Sequence, residues 1–218
     1  MTATSVLSPI STALREETAA AHSEAENTRF MSSLVEGKLG REDVIDLTAQ
    51  YWYIYNALEA AVRRLSSDPA VAAVADSRLE RVPALEADLT HLIGEDWREK
   101  ITPTEATLAY VEALDGCGPG EAPAVVAHHY VRYLGDIAGG QVIARMLSTA
   151  YDLDDEALHF YDFSAVGKIP PFRAAYKSAL DSIELTPGQR DELISNAQAA
   201  FTHNQNVFRD LEQRSASF

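Results

Sequence analysis

From Arg41 to about Leu65 the side chains Val44, Leu47, Tyr51, Ile54, Tyr55, Leu58 and Val62 return every three or four residues. That spacing gathers them on one stripe of a helix, which must be buried against other elements. The same period recurs in nearly every segment between proline and glycine punctuation, and no pair of alternating runs is joined by a hairpin turn. The chain therefore predicts an all-α fold. At 218 residues it can enclose one substantial core. Residues 1–218 are expected to form a single domain of about eight helices with short flexible N- and C-terminal ends.

The boundaries follow from local signals. Pro9 after Ser8 opens a helix whose stripe of Ile10, Leu14, Ala21 and Ala25 runs to about Asn27. A short helix closes near Gly37, the tyrosine-rich helix from Arg41 stops at Asp68-Pro69, and further helices run from Leu79 to Ile93 and from Pro103 to Leu114. Residues 121–150 read as one helix, followed by an irregular acidic and aromatic connector, YDLDDEALHFYDF. Pro170-Pro171 begins the next helix, and Thr186-Pro187-Gly188-Gln189 is a capping box for the last.

Charge and cysteine content exclude several function classes. A net charge of -15 opposes binding to a phosphate backbone. Cys117, the single cysteine, has no partner for an intramolecular disulfide, and MTATSVLSPI lacks the layout of a secretory signal. No window approaches a membrane-spanning run. A cytoplasmic protein with neither membrane nor nucleic-acid partners is expected.

The segment HHYVRYLGDIAGGQVIARML carries Gly135, Gly139 and Gly140 inside an apparent helix. Each interior glycine costs roughly 1 kcal/mol relative to alanine, so the cluster needs a compensating role. Close contact with another helix is one such role. A flat ligand lying against bare backbone is the other. Arg132 and Asp136 border the gap on the same side of the helix, and a dry helix contact gains nothing from desolvating a charged pair.

A planar ligand with reactive chemistry at its centre suggests heme, whose iron is commonly held by histidine. Of six histidines, His128 and His129 share the glycine helix and could not reach across the same ligand face, while His91, His159 and His203 carry no accompanying signal. His22 sits among alanines with Glu26 one turn later, a spacing that lets a carboxylate accept the second ring proton and fix the imidazole.

The AHSEAENTRFM segment together with HHYVRYLGDIAGGQVIARML closely resembles the heme oxygenase family, particularly its soluble bacterial, biliverdin-producing members. The similarity covers nearly the whole chain. It implies a single-domain helical bundle in which heme b, iron protoporphyrin IX, lies between a proximal helix and a kinked distal helix as both cofactor and substrate. His22 would then ligate the iron and Glu26 would hydrogen-bond it. Gly135 and Gly139 would give the close distal contact, Asp136 would organise distal water, Arg132 would support that network, and Tyr53 would join it. Arg15, Tyr130, Arg173 and Lys177 match propionate anchors, with arginine at 15 and lysine at 177 exchanged relative to the usual pattern; Met31, Phe201 and Phe208 match apolar walls.

The resemblance further implies reaction with O2 to give biliverdin, carbon monoxide and ferrous iron. A neutral imidazole pushes less electron density onto the iron than a thiolate, so an oxidant that attacks the heme edge can persist. The chain has neither a nucleotide-binding glycine fingerprint nor a cysteine cluster, so electrons must come from an external ferredoxin or reductase. Arg15, Arg132, Lys168, Arg173 and Lys177 would form a basic rim that steers this donor. A monomer serving iron acquisition is expected. A heme carrier or sensor without turnover is the alternative, and a non-heme iron bundle lacks the paired Glu-x-x-His spacing it requires.

Overall fold

In the computed structural model, residues 8–216 are described, and every regular element among them is helical. The elements are α1 (Ile10–Glu17), α2 (Ala19–Glu26), α3 (Arg29–Val35), α4 (Arg41–Arg64), α5 (Pro69–Val74), α6 (Val82–Ile93), α7 (Trp97–Lys100), α8 (Glu105–Asp115), α9 (Ala122–His129), α10 (Gly135–Tyr151), α11 (Ile169–Asp181) and α12 (Pro187–Arg214). The extreme ends expected to be flexible, and most of the stretch read for a leader, lie outside the described residues. Among the described residues no helix is long and apolar enough to cross a membrane.

The stripe on α4 is buried as the periodicity requires: Val44, Leu47, Ile54, Tyr55 and Leu58 are all at or below 2% exposure. α4 packs on α6 and α8, and α12 lies across α8, α9 and α2. The capping box forms at the start of α12: Gln189 N–H donates to Thr186 Oγ1 at 3.3 Å and Thr186 N–H to Gln189 Oε1 at 3.0 Å. Gly37 closes α3 at φ +67°, where a Cβ would sit 2.9 Å from the Ala150 Cβ, so both backbone angle and packing demand glycine.

The short helices α5 and α7 go beyond the sequence expectation, the helix expected from Leu79 begins at Val82, and two expected helices are interrupted. The first one bends at Thr18 (φ −104°, ψ 0°), where the threonine hydroxyl donates to the Leu14 carbonyl at 2.7 Å. This back-bonding competes with the helix ladder and tilts the next turn. The second, expected to be continuous from 121 to 150, is interrupted by a π-helical turn over Tyr130–Leu134 between α9 and α10. Periodicity does not report one extra residue in a turn, and such turns recur beside functional sites. The connector after α10 is irregular, built from short 3-10 turns at Asp155–Ala157, His159–Tyr161 and Ser164–Val166.

α9 carries two buried histidines. His129 Nδ1 meets Tyr176 Oη at 2.7 Å, His128 Nδ1 meets Tyr110 Oη at 3.2 Å, and burial lowers both imidazoles to about 3. The unfolded chain accepts these protons near 6.5, whereas the folded chain refuses them until about 3. Their contribution to stability is therefore complete above pH 6.5 and is lost as the pH falls toward 3. His129→Phe loses the Tyr176 hydrogen bond and should be destabilised by about 1–3 kcal/mol at neutral pH. Because it has no imidazole to protonate, its deficit should shrink at about pH 5, read as the gap between urea midpoints. A gap independent of pH would mean that His129 titrates normally in the folded chain.

Candidate functional site

The first, middle and last segments meet around one cleft. His22 from α2, Tyr130 and Val131 from the π turn, Gly135 from α10, Arg173 and Lys177 from α11 and Phe201 from α12 line a cavity of about 310 Å³. A second lobe of about 150 Å³ shares His22, Val131, Gly135 and Phe201, and continues to Glu26, Met31, Asp136, Gly139 and Phe208.

On one side stands the His22 imidazole, half exposed, with Nδ1 3.5 Å from Glu26 Oε2 and the ring edge-on to Phe201 at 5.6 Å. The carboxylate occupies Nδ1, which leaves Nε2 as the nitrogen for a metal. The other histidines have partners elsewhere: His91 pairs with Asp154, His159 with Asp88, His128 and His203 pack on Tyr110, and His129 bonds Tyr176. Among the described residues no group of three or more histidine, cysteine or carboxylate side chains could hold a metal ion, so a non-heme iron centre has no ligand set there.

Across the cleft lies the glycine helix. A Cβ built on Gly135 meets nothing within 4 Å, and one on Gly139 meets only Ile143 Cδ1 at 3.9 Å. Gly140 differs, since its added Cβ would touch Tyr161 Cδ1 at 3.4 Å. The packing explanation of the glycine cluster therefore applies to Gly140, while Gly135 and Gly139 open the cleft wall.

Behind that wall is a buried polar cluster. Tyr55 Oη donates to Asp136 Oδ2 and accepts from Arg132 Nε at 3.3 Å; Arg132 Nη1 donates to Asn204 Oδ1 at 2.9 Å. The guanidinium also sits over the Tyr51 and Tyr55 rings at 4.5 and 4.9 Å. Its Nη2 lies 4.0 Å from Asp136 Oδ1 and has no hydrogen-bond partner among the described residues. Burial drives the Asp136 carboxyl well above the usual carboxylate range. A carboxyl raised in this way beside a phenol, and lining the second lobe, holds a proton more readily than a free carboxylate and is placed to exchange it with the lobe.

Two expectations need correction. Tyr53 is not in this cluster: its hydroxyl donates to the Ile101 carbonyl at 3.3 Å and its ring packs against Trp52. Two residues turn a helix through about 200°, so Tyr53 leaves α4 on the face opposite Tyr51 and Tyr55. Arg132 is 4% exposed and cannot belong to a surface rim. The cations at the cleft mouth are Arg15, Arg173 and Lys177; Lys168 is exposed outside the lining. Arg15 pairs with Glu16 at 3.2 Å, Arg173 Nε is buried with no partner among the described residues, and Tyr130 is raised by burial against the opposing pull of Arg15 and Arg173.

Sequence reasoning missed Tyr51, Tyr55, Asn204, Phe160 and Tyr161. The two α4 tyrosines and Asn204 carried a usable signal, being polar groups on otherwise apolar stripes that bury them. Phe160 and Tyr161 sit in the connector, where no period points inward.

The sequence model of the Heme oxygenase family matches residues 8–210. The chain is 34% identical over 200 residues to heme oxygenase 1 of Nostoc sp., covering 91% of this chain and 84% of that protein. It is 37% identical over 207 residues to human heme oxygenase 1, covering 94% and 72%. The fold superposes with a TM-score of 0.91 on a crystal structure of heme oxygenase-1 from the cyanobacterium Synechocystis sp. in complex with heme, at 28% identity and covering 95% of this chain and 94% of that one.

Proposed function

The chain belongs to the heme oxygenase family, and from that premise we propose that His22, Asp136 and the glycines between them form its reaction site. It is a heme-degrading oxidoreductase for which heme is both substrate and prosthetic group. One observation carries the assignment of residues: a half-exposed imidazole and a glycine with free space above its Cα line the same cavity of about 310 Å³. A flat ligand fits between them, and the buried, partnerless Arg173 Nε beside Lys177 and Arg15 suits an anionic edge.

When bound, heme supplies the iron at which oxygen is reduced and the ring whose opening yields biliverdin, carbon monoxide and ferrous iron. The chain's own residues do the rest. Glu26 holds the proton on His22 Nδ1 and so presents Nε2 to the iron. Arg15, Tyr130, Arg173 and Lys177 would hold the propionates, while Met31, Phe201 and Phe208 would keep water from the ring. Gly135 and Gly139 admit the ring close to the backbone. Asp136, steadied by Tyr55 and Arg132, holds a proton at the distal side and passes it through water rather than by direct contact.

Electrons come from an external ferredoxin or reductase, which docks at the Arg15, Arg173 and Lys177 rim of this otherwise acidic chain. We place the protein in the cytoplasm as a monomer, with residues 1–218 as one domain and iron acquisition as its role. A carrier without turnover has no use for a buried carboxyl, bonded by Tyr55, in the second lobe.

Gly135→Leu tests the ligand face without testing the fold. Leucine is a better helix former than glycine by roughly 0.8 kcal/mol and its Cβ meets no neighbour, so urea stability should hold or rise. Hemin affinity should fall at least tenfold. Unchanged affinity would remove Gly135 from the binding surface.

A further inference from the structure

Three buried charges stand outside the cleft: Glu59 in α4, Arg81 at the start of α6 and Asp88 within α6, at 3%, 6% and 1% exposure. Arg81 and Asp88 reach the connector after α10. Arg81 Nη1 donates to the Asp162 carbonyl at 2.6 Å, and Glu59 accepts from the Arg81 amide at 2.6 Å. Asp88 does more. Its Oδ1 accepts from the His159 amide at 2.7 Å and from His159 Nδ1 at 3.0 Å, and its Oδ2 accepts from the Phe160 amide at 2.9 Å. A connector of isolated 3-10 turns has few backbone partners of its own, so these bonds decide where residues 159–160 lie.

Phe160 and the following Tyr161 line the second lobe. The Phe160 ring packs on Tyr51 at 5.3 Å and edge-on to Tyr55 at 5.4 Å, and Tyr55 is the phenol that donates to Asp136. Tyr161 covers Gly140, and Gln141 Nε2 donates to its carbonyl at 3.0 Å. We infer that Asp88 is a positioning residue for the reaction: by holding the His159 and Phe160 amides it seats the Phe160 ring, which braces Tyr55 against Asp136. The inference rests on the reading of Asp136 given above.

Asp88→Asn keeps the shape but turns an amide N–H₂ toward at least one of the three donors. The full chain loaded with hemin should bind within threefold of the parent and keep the parent's ferric and ferrous spectra, because His22 is on the other side of the cleft. Biliverdin formed per oxygen consumed should fall at least threefold, and the amides of residues 159–160 should exchange at least tenfold faster in the hemin-free protein. Faster exchange with undiminished coupling would make Asp88 a structural residue only and overturn the inference. If Asp88→Asn does not fold, Phe160→Leu, which leaves every Asp88 hydrogen bond in place, must show the same loss of coupling; normal coupling there overturns it equally. Asp136→Ala run in parallel separates the two readings. Coupling lost in Asp136→Ala but kept in Asp88→Asn sinks this inference alone, coupling kept in both sinks both, and coupling lost only in Asp88→Asn sinks the route through Tyr55.

Discussion

Asp136→Ala is expected to take up heme as tightly as the parent and to form biliverdin slower by a factor of about 100 or more, the usual cost of removing a positioned acid. The reason is local. Asp136 is a carboxyl that lines the second lobe and is pushed up by burial, and Tyr55 and Arg132 are arranged around it rather than around the lobe. Without it the second lobe would lack its carboxyl, and peroxidase-like oxidation of added phenols is expected in place of ring opening. Stability should fall by about 1–3 kcal/mol, since the Tyr55 hydroxyl loses its acceptor inside the protein. Single-turnover spectra with hemin, reductant and oxygen decide the matter. Full biliverdin yield at the parent rate would end the proposed role. In the parent, the donor function should fade as the pH rises through the raised carboxyl value, because that is where the proton is lost.

His22→Ala should remove the native axial ligation and reduce turnover by about 100-fold or more, while leaving the hemin-free protein within about 1 kcal/mol of the parent. The side chain is half exposed, and its polar contact within the chain is the Glu26 pair at 3.5 Å, so little folding energy depends on it. The remaining histidines are engaged with Asp154, Asp88, Tyr110 and Tyr176, and none of them lines the cleft. Ferric and ferrous absorption spectra are the measurement. Spectra identical to the parent would require another ligand and would displace α2 from the proximal role.

The two outcomes lean on different kinds of legibility. His22, Glu26, Gly135 and Asp136 could be read in the chain because each sits a fixed number of residues from a partner on its own helix, and helical geometry converts that spacing into a shared face. Tyr53 was misplaced for want of a cross-helix reference: nothing local says which side of α4 meets α10. Arg132 was placed on the rim for the same reason, since its burial depends on Tyr51, Tyr55 and Asn204, contributed by two other helices.

By itself the sequence determined the helical class, most helix limits and the faces shared by His22 with Glu26 and by Arg132 with Asp136 and the glycines, because these follow from backbone sterics and a period of 3.6 residues acting over a few turns. Only the tertiary structure decided which tyrosines face the carboxyl, that an extra residue widens the turn before Gly135, and that an irregular connector bonded by Asp88 lines the second lobe. Those features arise where side chains far apart in the chain compete for the same buried space and the same hydrogen-bond donors, and that competition is resolved only when the helices pack.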